Sequence, residues 1–123
     1  MLKQKRWALL EHIGSPDDPS GRHFDLLLEE RNACRTWRLE QIPVLDGSSQ
    51  EILSLPNHRL SWLEISFCEI SRGRGWARKV CGGYFYDQLP SNKSDPIQIE
   101  LCINGINGIL EIKKLLCRFF SVP

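Results

Sequence analysis

The sequence predicts an all-β protein: a small β-barrel, closed or partly open, with little helix. Three observations carry that prediction. Short runs alternate apolar and polar residues with the period of a half-buried strand. Clusters of Gly, Asn, Asp, Ser and Pro punctuate them at short intervals. No stretch of ten or more residues has the spacing of an amphipathic helix. The 123 residues suffice for one domain with a real core, so residues 1–123 are read as a single unit.

In chain order, Arg6 to Ile13 is a short apolar run stopped by Gly14-Ser15-Pro16 and reads as a strand. Ser15 to Gly21 carries every turn signal. In the next strand, led by Arg22, Phe24, Leu26 and Leu28 fall on one face and His23, Asp25, Leu27 and Glu29 on the other. It ends near Glu30-Arg31-Asn32, and Cys34 to Ile42 alternates again, completing a hairpin. Pro43 to Pro56 is the least regular part, and its Ile52 to Leu55 is too short to classify. Ser61 to Ile70, rich in β-branched and aromatic residues, is expected to be a strand. Ser71 to Trp76 is a Gly/Arg loop. Trp76 to Tyr86 resumes extended structure, with Gly82-Gly83 marking a bulge or tight bend. The clearest hairpin comes last: Ile97, Ile99, Leu101 and Ile103 alternate, Asn104 to Gly108 turns, and Ile109 to Leu115 returns. Arg118 to Pro123 stays unassigned.

Composition narrows the function classes. A net charge of +1 gives no global field for a polyanion, so a nucleic-acid site would have to be a local patch. No apolar run approaches the roughly 20 residues that span a bilayer. The N-terminus lacks the apolar core and cleavage site of a signal peptide, and the reading expects a cytoplasmic protein. Five dispersed cysteines with no CxxC pairing read as reduced thiols acting mainly as small core hydrophobes.

Two constellations could carry chemistry. His23 and Asp25 lie side by side on one strand face, about 6–7 Å apart along the chain, and His12 could fold over as a third ligand. Two imidazoles and a carboxylate suit a divalent ion with open coordination positions, a centre for metal-assisted hydrolysis. Taken singly, a half-buried strand with a solvated polar face explains H-x-D as well. The second constellation is basic: Arg72, Arg74, Arg78 and Lys79, beside Gly73, Gly75 and Trp76. Guanidinium forks and glycine-freed N–H groups suit phosphate, and an aromatic can stack on a base. The bland counterpart is a solvated turn. No P-loop, GxGxxG, GxSxG or HExxH text is present.

Taken in order, these segments resemble the 3′-phosphoesterase domain at the N-terminus of bacterial ligase D, a DNA end-repair protein, and its stand-alone relatives. The matching text is Trp7-Ala8-Leu9-Leu10-Glu11-His12, His23 to Glu29, Thr36-Trp37, His58-Arg59-Leu60-Ser61-Trp62, Ile70 to Trp76, and the closing hairpin. The resemblance spans nearly the whole chain. It implies a β-barrel that binds manganese, with zinc or another transition metal as alternatives, and trims a 3′-ribonucleoside and then a 3′-phosphate from a primer end. Carried over, His12, His23 and Asp25 would be metal ligands, and His58 would contact the scissile phosphate as acid or electrostatic stabiliser. Arg72, Arg74 and Trp62 would contact substrate. Implied partners are nucleic-acid 3′ ends and a separately encoded DNA ligase or polymerase, with no membrane; a monomer is expected.

Departures from the pattern define the rivals. The family's arginine two residues beyond the strand aspartate is Leu27 here, its tyrosine after the later histidine is Trp62, and the His12–His23 spacing is longer through Pro16 to Pro19. Arg72 or Arg74 could stand in for the lost arginine. One rival is a relative without catalysis that binds nucleic-acid ends or docks a partner. The other is a structural β-domain whose histidines bind nothing.

Overall fold

The apolar opening run forms β1 (Lys5–Ile13) and the H-x-D stretch forms β2 (Arg22–Glu29), in a computed structural model that describes residues 3–16, 18 and 21–123. They pair antiparallel, with His12 opposite His23, Leu10 opposite Asp25 and Ala8 opposite Leu27. The intervening loop is pinched at its base, where the Gly14 N–H donates to the Gly21 carbonyl at 3.0 Å. β3 (Cys34–Leu39) makes the expected hairpin with β2 and sets Arg38 opposite Asp25.

The irregular middle segment holds two strands, β4 (Gln50–Glu51) and β5 (Leu53–His58). Pro56 is tolerated because β5 lies at a sheet edge, where a missing N–H costs no ladder bond. The strand expected over Ser61 to Ile70 is corrected: Leu60–Glu64 is a 3-10 helix, and only β6 (Phe67–Glu69) is extended. In a 3-10 turn residues i and i+3 eclipse, so Leu60 and Leu63 together face the sheet. Burying Leu63 outweighs the local β preference of the segment.

β7 (Trp76–Phe85) pairs with β1 and carries the expected bulge two residues before Gly82. The register steps from Leu9–Cys81 to Leu10–Lys79, leaving Val80 as the extra residue. The closing segment is β8 (Ile97–Ile103), β9 (Ile106–Lys113) and β10 (Leu116–Phe120). Its first turn is tighter than expected: Asn104 and Gly105, at φ 50° and 81°, suffice, and Ile106 already belongs to β9. The first half of the unassigned tail, Arg118 to Phe120, belongs to β10.

The all-β expectation holds. Six strands run in the order β5-β3-β2-β1-β7-β6 and four in the order β4-β10-β9-β8, every pair antiparallel. The sheets do not close into a barrel; the open form is the one found. Between them lies a core that includes Trp7, Leu9, Phe24, Leu26 and Leu28 from one sheet and Ile99, Leu110 and Phe119 from the other. The far face of the larger sheet carries a second, smaller cluster, in which Leu63 packs on Ala8, Leu10, Leu27 and Cys34. Among the described residues no helix is long and apolar enough to cross a membrane. All five cysteines are free; Cys34 and Cys117 are buried, and burial pushes their thiols up to about 11 and about 12, the behaviour of core residues and not of nucleophiles.

Gly108 is where the closing hairpin meets the core most tightly. A Cβ there would lie 2.7 Å from the Phe119 ring and 2.9 Å from Leu45 Cδ1. Gly108→Ala should cost about 1–3 kcal/mol of stability through overpacking, read as a lower urea midpoint; an unchanged midpoint would mean that Phe119 yields freely.

Candidate metal centre

Strand parity places the three predicted ligands. Because Trp7, Leu9, Phe24, Leu26 and Leu28 face the inter-sheet core, His12, His23 and Asp25 must face the opposite side. His12 and His23 are direct cross-strand partners, with ring centroids 4.7 Å apart, and Asp25 follows His23 on the same face. One ligand atom from each of the three lies within 4.8 Å of the others. His23 is 2 % exposed and Asp25 7 %.

Each histidine has one nitrogen engaged, which fixes which nitrogen is left over. The His12 Nε2–H donates to the Arg74 carbonyl at 2.8 Å, leaving Nδ1 with the lone pair. His23 Nδ1–H donates to Asp18 Oδ2 at 2.8 Å, leaving Nε2, which stands 3.4 Å from Asp25 Oδ1. Those last two atoms are buried and make no hydrogen bond among the described residues. Two orphaned acceptors facing each other repel unless a proton or a cation lies between them. The donor set thus fits a divalent transition-metal ion, and an Asp–His contact behind it is the support that metal-binding imidazoles commonly have. Without metal, burial works against charging His23, but the carboxylates of Asp25 and Asp18 outweigh it and raise its pKa above the ordinary value.

A cavity of about 170 Å³ opens beside this set. His12 and Asp25 form one wall, His58 and Trp62 another, and Ala77 and Arg74 complete it. Ala77 is the β7 residue opposite His12, and its small side chain leaves the space open. The 3-10 helix carries Trp62, whose ring meets His58 edge-on at 6.0 Å. Lys79 anchors that helix by donating to the Leu63 carbonyl at 2.6 Å. His58 stands at the end of β5, opposite Cys34, and its Nδ1–H donates to the Pro56 carbonyl at 3.1 Å.

The basic constellation is dispersed. Arg78 is paired with the buried Glu11 at 2.8 Å, and Lys79 holds the helix. The Arg74 guanidinium turns back onto Ser71, donating to its carbonyl at 3.0 Å and its hydroxyl at 3.1 Å. Arg72 lies in the exposed turn with φ 64° and does not line the cavity. The glycines of this segment serve a different end. At Gly75, with φ 92°, a Cβ would lie 2.0 Å from the Ile13 carbonyl oxygen. Only glycine lets the turn approach β1 this closely, and that approach puts the Arg74 carbonyl on His12.

Two neighbours of the cluster are not apparent from sequence alone. Asp18 belongs to a loop that reads simply as polar. Arg38 is the cross-strand partner of Asp25, and its charge acts against protonation of His23. Alternation in Cys34 to Ile42 shows that Arg38 opposes Trp37 and Leu39; only the β2–β3 register shows that it sits beside Asp25. Leu27 is fully buried in the second apolar cluster.

No protein-family model matches the sequence, and no curated protein matches it.

Two outcomes test the centre. Titration with manganese or zinc, followed by calorimetry, should give one site per chain in the wild type and none in His23→Ala, while Asp18→Asn keeps the site with roughly 10- to 100-fold weaker affinity; equal binding in all three would remove the metal. Leu27→Arg would put an uncompensated charge under the 3-10 helix and should cost on the order of 3–5 kcal/mol, visible as a large drop in urea midpoint; a wild-type midpoint would show that the cluster is not tight.

Proposed function

We propose that the protein is a divergent, metal-dependent 3′-end phosphoesterase of the ligase D type, acting on DNA or RNA primer ends in the cytoplasm. The observation that supports it most is the pair of buried, orphaned acceptors, His23 Nε2 and Asp25 Oδ1, beside a cavity that His12, His58 and Trp62 also line. The ordered resemblance in sequence gives the reaction class. The residues of the centre would hold manganese, or zinc or another transition metal, and such an ion polarises a phosphoryl oxygen and activates water.

The chain's own groups divide the remaining work. His12, His23 and Asp25 hold the ligand set rigid because all three project from paired strands. His58 has Nδ1–H committed to Pro56, so in its imidazolium form Nε2–H is the group that would give a proton to the departing oxygen or hydrogen-bond to it, the ring returning to the neutral form with its lone pair on Nε2. Trp62 supplies an aromatic wall and an indole N–H donor at the position of the family's tyrosine. The partners in this reading are nucleic-acid 3′ ends and a separate ligase or polymerase, and the active form is a monomer.

One observation favours a second reading, that of an end-binding or partner-docking module without turnover: Leu27 fills its place with hydrocarbon where the family grips phosphate. A primer-template bearing a 3′-phosphate or a 3′-ribonucleotide, incubated with manganese, decides between them. The phosphoesterase reading expects a 3′-hydroxyl product, with His58→Ala slower by roughly 10²–10⁴-fold. Binding without product selects the docking module, and neither binding nor product ends both readings.

A further inference from the structure

We infer that the protein has a second ligand site, a cleft at the end of the larger sheet remote from the candidate metal centre. It takes a small molecule that joins a phosphate to a planar ring, the chemical class of the nucleoside monophosphates. The inference is independent of the phosphoester reading. The cleft has a volume of about 700 Å³ and lies between the start of β1, the end of β2 and the connector after β7. Lys5 on its wall and His12 are seven residues apart on β1, roughly 23 Å at the rise of a strand.

Hydrogen bonds across the cleft tie its walls together. Tyr86 to Ser91 has no regular structure, yet side chains of the strands hold it in place. Lys5 Nζ donates to the Asp87 carbonyl at 2.6 Å, and the Gln4 amide donates to the Tyr86 hydroxyl at 3.1 Å. Asp87 Oδ2 in turn accepts the Glu100 N–H at 3.0 Å. Arg35, 4 % exposed, joins the two walls: its guanidinium is paired with Glu30 at 2.8 Å and donates to the Pro90 carbonyl. Its Nη1 is buried with no hydrogen-bond partner among the described residues, so the wall holds an unmet donor. A ligand therefore meets a surface already ordered, and little affinity is lost in arranging it.

The charge of the cleft is one-sided. Both Glu29 carboxylate oxygens accept from Arg6, and Glu30 is paired with Arg35; neither arginine is among the lining residues. Lys3, Lys5 and Arg31 line the cleft and form no ion pair among the described residues. Three cations beside carboxylates already neutralised leave an excess of positive charge, which the cleft focuses on an anion. The Arg31 fork matches phosphate oxygens, and the two ammonium groups add charge. Tyr86 supplies the other half of the site. It lines the cleft, is 52 % exposed and has its hydroxyl pinned by Gln4, while Leu89 adds hydrocarbon beside it. A pinned ring with an open surface suits a base, because every base has a face that can stack. The volume falls within the roughly 300–1,000 Å³ of small-molecule sites.

The full chain, in buffer with a metal chelator, would be titrated by calorimetry with adenosine and uridine 5′-monophosphates, with the two nucleosides and with inorganic phosphate. At least one nucleotide should bind at one per chain, roughly 10- to 100-fold more tightly than its nucleoside or phosphate alone. Arg31→Gln, at an exposed bend, should weaken nucleotide and phosphate roughly 10- to 100-fold, the range for losing a charge-assisted hydrogen bond. Tyr86→Ala should weaken the nucleotide roughly 5- to 100-fold and leave phosphate unchanged. Lys5→Gln should act as Arg31→Gln does. Because Lys5 also ties β1 to the connector, thermal midpoints are measured for each variant, and Arg31→Gln carries the test if Lys5→Gln unfolds. Phosphate binding that gains nothing from the base, with Tyr86→Ala silent, overturns the nucleotide class. Nucleotide binding that Arg31→Gln and Tyr86→Ala both leave unchanged lies elsewhere on the chain and overturns the site. Wild type that binds neither nucleotide overturns the inference outright. The primer-end assay decides the phosphoester reading separately.

Discussion

The alignment of β1 with β2 is the constraint on which the site depends. Side chains alternate across a sheet, so sliding β2 by one residue would turn Phe24, Leu26 and Leu28 outward and put His23 and Asp25 into the core. Burying each of those three large side chains contributes roughly 1.5–3 kcal/mol, and burying the imidazole and carboxylate would cost more. The slip is therefore forbidden by the hydrophobic core, not by anything on the opposite face. The core between the sheets fixes the geometry of the opposite face. Trp7 and Leu9 lock His12 in the same manner.

This division of labour explains what could be read from the sequence and what could not. Period-two alternation is strong in both strands of the first hairpin, and the two histidines flank its loop. The triad of His12, His23 and Asp25 is thus legible from text alone, because one hairpin contains it. His58 and Trp62 were nameable through the resemblance, but their route to the cavity was not. The segment after Pro56 has strand-like composition and yet forms a 3-10 turn, because Leu60 and Leu63 have a sheet to cover that only exists once the strands pair. Arg38 and Asp18 were illegible for a related reason. Each meets the centre through a register or a loop closure that no local pattern encodes. The Gly/Arg segment carries a role that its text does not show: Gly75 brings a backbone carbonyl to His12.

Charge in this protein is local. Its net value is +1, and several of its arginines are neutralised within the fold, Arg6 by Glu29, Arg35 by Glu30, Arg78 by Glu11 and Arg118 by Glu111. Such pairing leaves little long-range attraction for a polyanion, so under the proposed function recognition would have to come from short-range contacts inside the cavity. In that proposal, a small cavity with two imidazoles, a carboxylate and an indole would suit one terminal group better than a length of duplex.

The pinched base of the loop between β1 and β2 has its own consequence. Gly14 and Gly21 close the chain on itself one residue beyond the Ile13–Arg22 pair, so the pairing that sets His12 against His23 is complete before the loop begins. Among the described residues of the loop, Asp18 reaches back onto His23, so a side chain outside the strands adjusts the basicity of an imidazole that the strands hold in place.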